Sequence, residues 1–513
     1  MDNEIGLRSP FGEASCEAEV KILRGNYKTL YFEETPFNSV ALTADRYLIV
    51  GRRGSGKTSL SHYFTFQKEI PNARCIDIDE PDTYSSVLTK ISKLSASDEN
   101  IALPRIVKIW EYVFWTLIFS KYKDRSPEIL AACVTTESRG SRFIKSILNH
   151  LIEKFLPADS EYLSEQLEEF LSSKAVEIAK TKMLEITKRE PVIVAIDSLE
   201  KYSIDNVNVM MSLAALIQCS SDFNIEYAYK GIHIKTFVSA EVFPYLTETA
   251  MSNTTKYIRD PVYMHWRPKD LIRLISWRFY YYLRRSNELD KASIGYINWS
   301  DYHDVLNKIW SPYFGTEIRN GTGLPEKTFP YILRHTQMRP RQVVVLCNAI
   351  AKNAVEKKIF PYFNQDPEMV IESLKDAEID LANGVINAYS SVYPNVSHIL
   401  DALNGTPNVF KGSWLDKIAK KTASQWPLGD YNSTKFKQIL AELGIVGIIR
   451  NWNTQANIIE ADFEYNLKDR LAITSEDECV LHPMFFNKFR AKQAERVIIY
   501  PFPNHPDYAP IHE

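Results

Sequence analysis

The chain has 513 residues, about three to four times a common single-domain length, which predicts two to four domains. Apolar residues at 45% and charged residues at 24% exclude wholesale disorder, a collagen-like repeat and a coiled-coil rod. Lys and Arg total 61 against 64 Asp and Glu, a formal charge of −3, so the chain lacks the global basic excess of a protein that coats nucleic acid.

Residues 1–25 read as a polar leader; they are acidic and carry no apolar core, so they are not a secretory signal. An approach segment follows to residue 46, and RYLIVG at 46–51 is an apolar run ending in glycine, the pattern of a buried strand. A helix should follow the glycine-rich stretch at 51–58. ARCIDID at 73–79, PVIVAID at 191–197 and IKTFVSA at 234–240 are further apolar strands, separated by helical spacing over 82–123, 141–187 and 205–219. IVKIWEYVFWTLIFSKY at 106–122 is too short to span a bilayer and contains Lys108 and Glu111, so it reads as a buried helix. Near-continuous apolar strands alternating with helices predict a parallel sheet covered on both faces, an α/β core over 26–265.

From 266 to 390 the pattern turns helical: PKDLIRLISWRFYYYLRRS, FPYILRHT and PRQVVVLCNAIAKNAVEKK, with a loop-rich insertion at 286–330 and an acidic connector helix ending near 390. Residues 391–499 combine an apolar stretch at 395–403, helices at 413–421 and 433–443, and short strands in GIVGII, NIIEADFEY and CVLHPMF. Two helices followed by short strands suggest a winged-helix domain. The proline-rich tail at 500–513 reads as extended.

Chemistry concentrates first in Gly51, Arg52, Arg53, Gly54, Ser55, Gly56, Lys57 and Thr58, a complete GxxxxGK[ST] loop continued by Ser59. Phosphate binding needs backbone N–H groups turned inward around an anion, which glycines permit, and a helix start adds its positive dipole end. Lys57 then reaches the β- and γ-phosphates of ATP, and the Thr58 hydroxyl reaches Mg2+. The strand at 192–196 delivers Asp197 to the carboxyl edge of the sheet, where ligands bind in open α/β folds and where it can hold Mg2+ through water. Ser198 follows in place of a second acid. Glu200 either orients the attacking water or is a first-turn glutamate favouring the next helix.

The Asp-x-Leu-Glu ending at 197–200 resembles the STAND and KAP-type branches of P-loop NTPases, which relate to AAA+ and origin-recognition ATPases. The resemblance extends to IKTFVSAEVF as a sensor strand, WRPKDLIRLISWRF as a first lid helix, ILRHTQMRPRQVVVLCNAI as the lid segment bearing a sensor-2 arginine, and the tail as a winged helix. It covers most of residues 30–490. The layout also resembles bacterial P-loop ATPases linked with phage defence. The resemblance implies an ATP-hydrolysing core and a helical lid bearing a sensor-2 arginine, read as Arg341 at the γ-phosphate with Arg339 beside it at the nucleotide. Ser239 and Glu241 would end the sensor strand.

Two mixed stretches have plainer readings. WRFYYYLRR at 277–285 alternates arginine with aromatics, as single-strand platforms do, but Leu271, Leu274, Ile275, Phe279 and Tyr282 form one core-facing helical stripe. Lys435 and Lys437 on the 433–443 helix are offset by Glu442, a weak face for DNA readout. His482 has no partner constellation and reads as structural. Six scattered cysteines without a CxxC pair fit free thiols in a reducing, cytoplasmic compartment. The expectation is an ATP- and Mg2+-dependent switch, converting ATP to ADP, that controls homo-oligomer assembly or a separate effector protein without a membrane; the alternative is a DNA loader or remodeller using the winged helix.

Overall fold

The computed structural model describes residues 9–78, 99–133, 168–197, 207–249, 254–286, 294–321, 323–359, 367–390, 392–393, 395–426, 431–467, 470–493 and 496–502. The chain divides into two compact units, Pro36–Met264, and Met1–Thr35 with His265–Glu513.

In Pro36–Met264, five strands form one parallel sheet: β1 (Leu48–Gly51), β2 (Arg74–Ile78), β3 (Val192–Ile196), β4 (Ile232–Ser239) and β5 (Val262–Tyr263), in the order β2-β3-β4-β1-β5. Every residue of β1, β3 and β4 is buried, because crossover helices cover both faces of a parallel sheet. The α/β core expected from the apolar runs is therefore present. The two-residue β5, with Val262 buried and Tyr263 exposed, is too short to show in a sequence pattern.

The aromatic run at 106–122 lies within the helix Glu99–Tyr122, where Trp110, Phe114, Trp115 and Phe119 are all buried. It packs on the helix Val207–Tyr227, with Phe223 centred 5.3 Å from Phe114 and 5.2 Å from Trp115. Trp110 Nε1 finds its acceptor on Ser212 O at 3.1 Å. Among the described residues no helix is long and apolar enough to cross a membrane.

β4 carries a fully buried lysine. Lys235 Nζ donates to Thr43 O at 2.7 Å and Arg46 O at 2.6 Å, closing the turn that leads into β1. Burial pushes its ammonium pKa down to about 7, because the charged form loses hydration that two carbonyls only partly replace.

The second unit is built on the helices Pro268–Ser286, Pro340–Glu356 and Pro367–Ala388. Residues 9–35, read above as a leader and approach segment, pack into this unit. Phe11 is fully buried, with ring centroids 5.4 Å from Phe279 and 5.5 Å from Phe314. Arg278 pairs with buried Glu19 and donates to Phe11 O at 2.6 Å and Glu13 O at 3.2 Å. In the helix Pro268–Ser286, Leu271, Ile275 and Phe279 of the expected stripe are buried and Arg284 and Arg285 exposed. Leu274 and Tyr282 are only half-buried, while Ile272, Tyr281 and Leu283 are buried, so the covered face is wider than the stripe and displaced from it.

The insertion at 286–330 was expected to be loop-rich; its described part is mostly regular. It holds the helix Tyr302–Val305, a π-helical turn Leu306–Trp310, the helix Ser311–Phe314, and the antiparallel hairpin β6 (Glu317–Arg319) and β7 (Pro325–Lys327). Elements of three to five residues are shorter than the window in which a period can be read.

The C-terminal part contains β8 (Val409–Lys411), the helices Gly412–Lys421 and Ser433–Glu442, then β9 (Val446–Asn453), β10 (Ile458–Asp462), β11 (Glu478–Leu481) and β12 (Ile498–Tyr500). Their sheet runs β12-β10-β9-β11-β8, antiparallel except for the β10–β12 pair. Leu415, Ile418, Phe436, Leu440 and Phe485 join one core beneath it.

Two stability measurements check this account. Trp115→Ala removes a fully buried indole from the helix–helix contact and should cost about 3–5 kcal/mol, read as a lower denaturant midpoint for this unit. Lys235 binds its proton less tightly in the folded chain than in the unfolded one, so its contribution to stability should rise as pH increases from about 7 toward about 10.4, the unfolded value. The difference in stability between the native chain and Lys235→Met should therefore shift in favour of the native lysine across that window; a pH-independent difference would contradict the buried charge.

Candidate functional site

β1 ends at buried Gly51, and the chain turns through Arg52–Gly56 into the helix Lys57–Tyr63. The turn is tight. A Cβ on Gly51 would lie 2.5 Å from Ser55 Oγ and 3.2 Å from Lys57 Cγ. Gly56 holds φ at +100°, in the left-handed region where a side chain is strained. Ser55 N donates to Arg52 O at 3.1 Å, closing the loop on itself. Lys57 is 5% exposed, and its ammonium donates to Gly51 O at 2.9 Å and Arg52 O at 3.3 Å. A cation is thus held inside the curve of the loop by neutral acceptors.

On the next residue, Thr58 Oγ1 donates to Asp197 Oδ2 at 2.6 Å. Asp197 is 2% exposed, and its N–H donates to Ile78 O at 3.0 Å, extending the pairing of β3 with β2 by one residue. Thr58, Ser61 and His62 stand three and four positions apart, on one helical face. Buried Ser61 donates to Asp77 Oδ1, and His62 Nδ1 lies 3.1 Å from Asp77 Oδ2. The face is therefore tied to the carboxyl ends of β3 and β2, while Phe64 packs 6.0 Å from Phe237 of β4.

A third carboxylate braces the loop from β4. Glu241 is buried; its Oε1 accepts from Arg53 N at 3.1 Å, and Ser239 Oγ donates to its other oxygen. The chemistry brought together is an ammonium beside a backbone turn, suited to an anion, and a hydroxyl beside a buried carboxylate, suited to a divalent cation.

Of the residues singled out from sequence, Gly51, Gly56, Lys57, Thr58 and Asp197 converge here. Arg52, Arg53, Gly54 and Ser55 form the loop, and Ser59 is half-buried on the first helical turn. Ser198 and Glu200 lie outside the described residues. Arg339 and Arg341 belong to the other unit. There Arg339 is buried and donates to Gln337 Oε1 at 2.7 Å, whereas Arg341 is exposed and its Nε donates to Ala14 O at 3.0 Å. Sequence reasoning missed Asp77, Ser61 and His62. The available signal was an acid near the end of ARCIDID and polar residues one turn beyond Thr58.

Two C-terminal residues also acquire definite surroundings. His482 is fully buried; Nδ1 accepts from Met484 N at 3.1 Å, so the proton sits on Nε2, 2.8 Å from Tyr465 Oη. Burial holds its pKa well below the usual value, consistent with a structural role. Lys437 is buried in an ion pair with Asp416, Nζ to Oδ1 2.8 Å, and that carboxyl, hydrogen-bonded by Lys437, Ser433 and Ser475, is held down at about 2.

Comparison with known proteins finds a distant relative. The chain is 22% identical over 464 residues to the putative transposon gamma-delta 80.3 kDa protein of Escherichia coli (strain K12), a match covering 86% of this chain and 61% of that protein. The chain thus spans less than two thirds of that relative's length. No family model matches the sequence, and no solved structure matches it.

Proposed function

We propose that the chain is a P-loop ATPase of the STAND/KAP/AAA+-related group, working as an ATP-driven switch that controls self-assembly or a separate effector. The observation that carries this reading is the hydrogen bond from Thr58 to Asp197, made across 139 residues of sequence. It joins the last residue of a GxxxxGK[ST] loop to a strand-end carboxylate, the two groups that hold the Mg2+ of a bound nucleotide in this chemistry. The donor set fits the ion: a hydroxyl and a buried carboxylate, hard oxygen ligands both.

Lys57 supplies the cation for the β- and γ-phosphates, exchanging two carbonyl acceptors for charged oxygens. Bound Mg2+ neutralises phosphate charge. Asp197 would hold that ion through water, and Glu241 accepts from Arg53 N–H, which shapes the loop. Glu200 is assigned to positioning the attacking water. A helical lid at 266–390 and a winged-helix-like domain at 391–499 are the moving parts, with the γ-phosphate favouring one arrangement through differential contacts. The link to phage defence rests on sequence resemblance alone.

The second reading, a DNA-handling ATPase, draws support from the name of the distant relative, which ties that protein to a transposon. Against it, Lys437, one of the two lysines on the expected reading helix, is buried against Asp416. Its charge is satisfied within the fold.

Two experiments test the proposal. Lys57→Ala and Thr58→Ala should each raise the Kd for Mg·ATP by roughly a hundredfold or more, with circular dichroism unchanged; unaltered affinity in both would sink the assignment. Arg341 is proposed to read the γ-phosphate, and loss of one charge-assisted contact costs about 1.5–3 kcal/mol, roughly tenfold to a hundredfold. Arg341→Ala should therefore bind ADP as the native chain does and lose its preference for ATP. Equal weakening for the two nucleotides would withdraw that role from Arg341.

A further inference from the structure

Within the unit His265–Glu513 a cavity of about 240 Å3 opens among the start of the helix Pro268–Ser286, the π-helical turn Leu306–Trp310 and the start of the helix Thr328–Leu333. Its wall is apolar, formed by Ile272, Leu306, Trp310 and Phe329. That wall is preformed. Trp310 Nε1 donates to Thr328 Oγ1 at 2.9 Å, and the same hydroxyl donates to Gly315 O at 2.8 Å. The indole also stacks on Phe314 at 4.3 Å and meets the edge of Phe329 at 5.1 Å, so it cannot swing to close the space.

The turn that supplies Leu306, Asn307 and Trp310 is π-helical. Such turns are rare and concentrate at functional sites, where the extra residue redirects side chains. The charge of the lining has one sign: Lys269 and Lys327 line the cavity and no carboxylate does. Both lysines are already engaged in the free chain. Lys327 pairs with Glu317 at 3.2 Å, but that carboxylate is 60% exposed, and an exposed ion pair is readily exchanged for a better-held anion.

We propose that this cavity is a binding site for a small organic monoanion, with a planar or short apolar body against Trp310 and a carboxylate met by Lys269 and Lys327. An apolar cavity of about 150 Å3 accepts benzene, so this one suits a body on the order of ten non-hydrogen atoms. The inference stands apart from the nucleotide reading, since it uses no residue of the loop at 51–58.

The test is calorimetric titration of the full chain with 2-naphthoate and with its neutral analogue 2-naphthalenemethanol. The expected result is one site, with the acid bound about tenfold tighter or more. The double variant Lys269→Gln with Lys327→Gln should bring the acid down to the affinity of the alcohol and leave the alcohol unchanged. Leu306→Trp, which fills the space, should abolish both. Ile272→Phe, a smaller enlargement, repeats that test if near-ultraviolet circular dichroism shows Leu306→Trp to be misfolded. Absence of binding at millimolar naphthoate, equal affinity for acid and alcohol, or binding that survives a folded cavity-filling variant would each overturn the proposal.

Discussion

The hydrogen bond between Thr58 and Asp197 needs two strands that are not neighbours. β1, which launches the loop, and β3, which ends in Asp197, are separated by β4, a distance of roughly 10 Å between strand axes. The first helical turn must therefore lean across β4, and it does so because Gly51 and Gly56 let the loop close tightly enough to aim it. Ser61 and His62 then reach Asp77 on β2, one turn further along. Parallel order, loop geometry and helix direction are thus coupled through one hydroxyl–carboxylate contact.

Each unit also buries several charges, and these are answered locally. Lys57 and Lys235 rest on backbone carbonyls. Glu241 rests on an N–H and a hydroxyl. In the other unit, Arg334 holds Glu326 by two contacts, of 2.9 and 3.1 Å, while Asn320 Nδ2 adds a third at 2.7 Å. Glu19, whose pKa burial raises, is matched by Arg278. Buried ions of this kind add little net stability, but removing one partner strands the other. Their value is specificity. Phe11 can enter its aromatic pocket in one register because Arg278 and Asn348 bind the backbone on either side of it, Asn348 accepting from Phe11 N at 3.1 Å and donating to Gly12 O at 2.8 Å.

Much of the parallel sheet was legible in the amino-acid sequence, because strands buried on both faces must be apolar throughout and helices between them must carry apolar stripes. β1 to β4 fall where those runs fall. The glycine-rich loop was legible too, since its backbone demands specific residues at specific positions. β5, the π-helical turn and the β6–β7 hairpin were not, being too short for any period to emerge. Nor was the packing of residues 9–35 into the second unit: Phe11, Glu19, Leu23, Tyr27, Leu30 and Phe32 are all buried, but they sit on helices of four to eight residues and the turns beside them, too short for a period to be read.

The candidate site divides the same way. Sequence by itself determined that Gly51, Gly56, Lys57 and Thr58 form a tight turn ahead of a helix, and that Asp197 ends a buried strand, because local backbone geometry and burial decide both. Only the tertiary structure decided that Thr58 meets Asp197, that Asp77 holds Ser61 and His62, and that Glu241 braces Arg53, since these contacts join residues brought together by strand order. Arg339 and Arg341 make the point most sharply. Two residues apart and identical in chemistry, one is buried on Gln337 and the other exposed beside Ala14, a difference set by the elements packed around the helix start and not by the residues themselves.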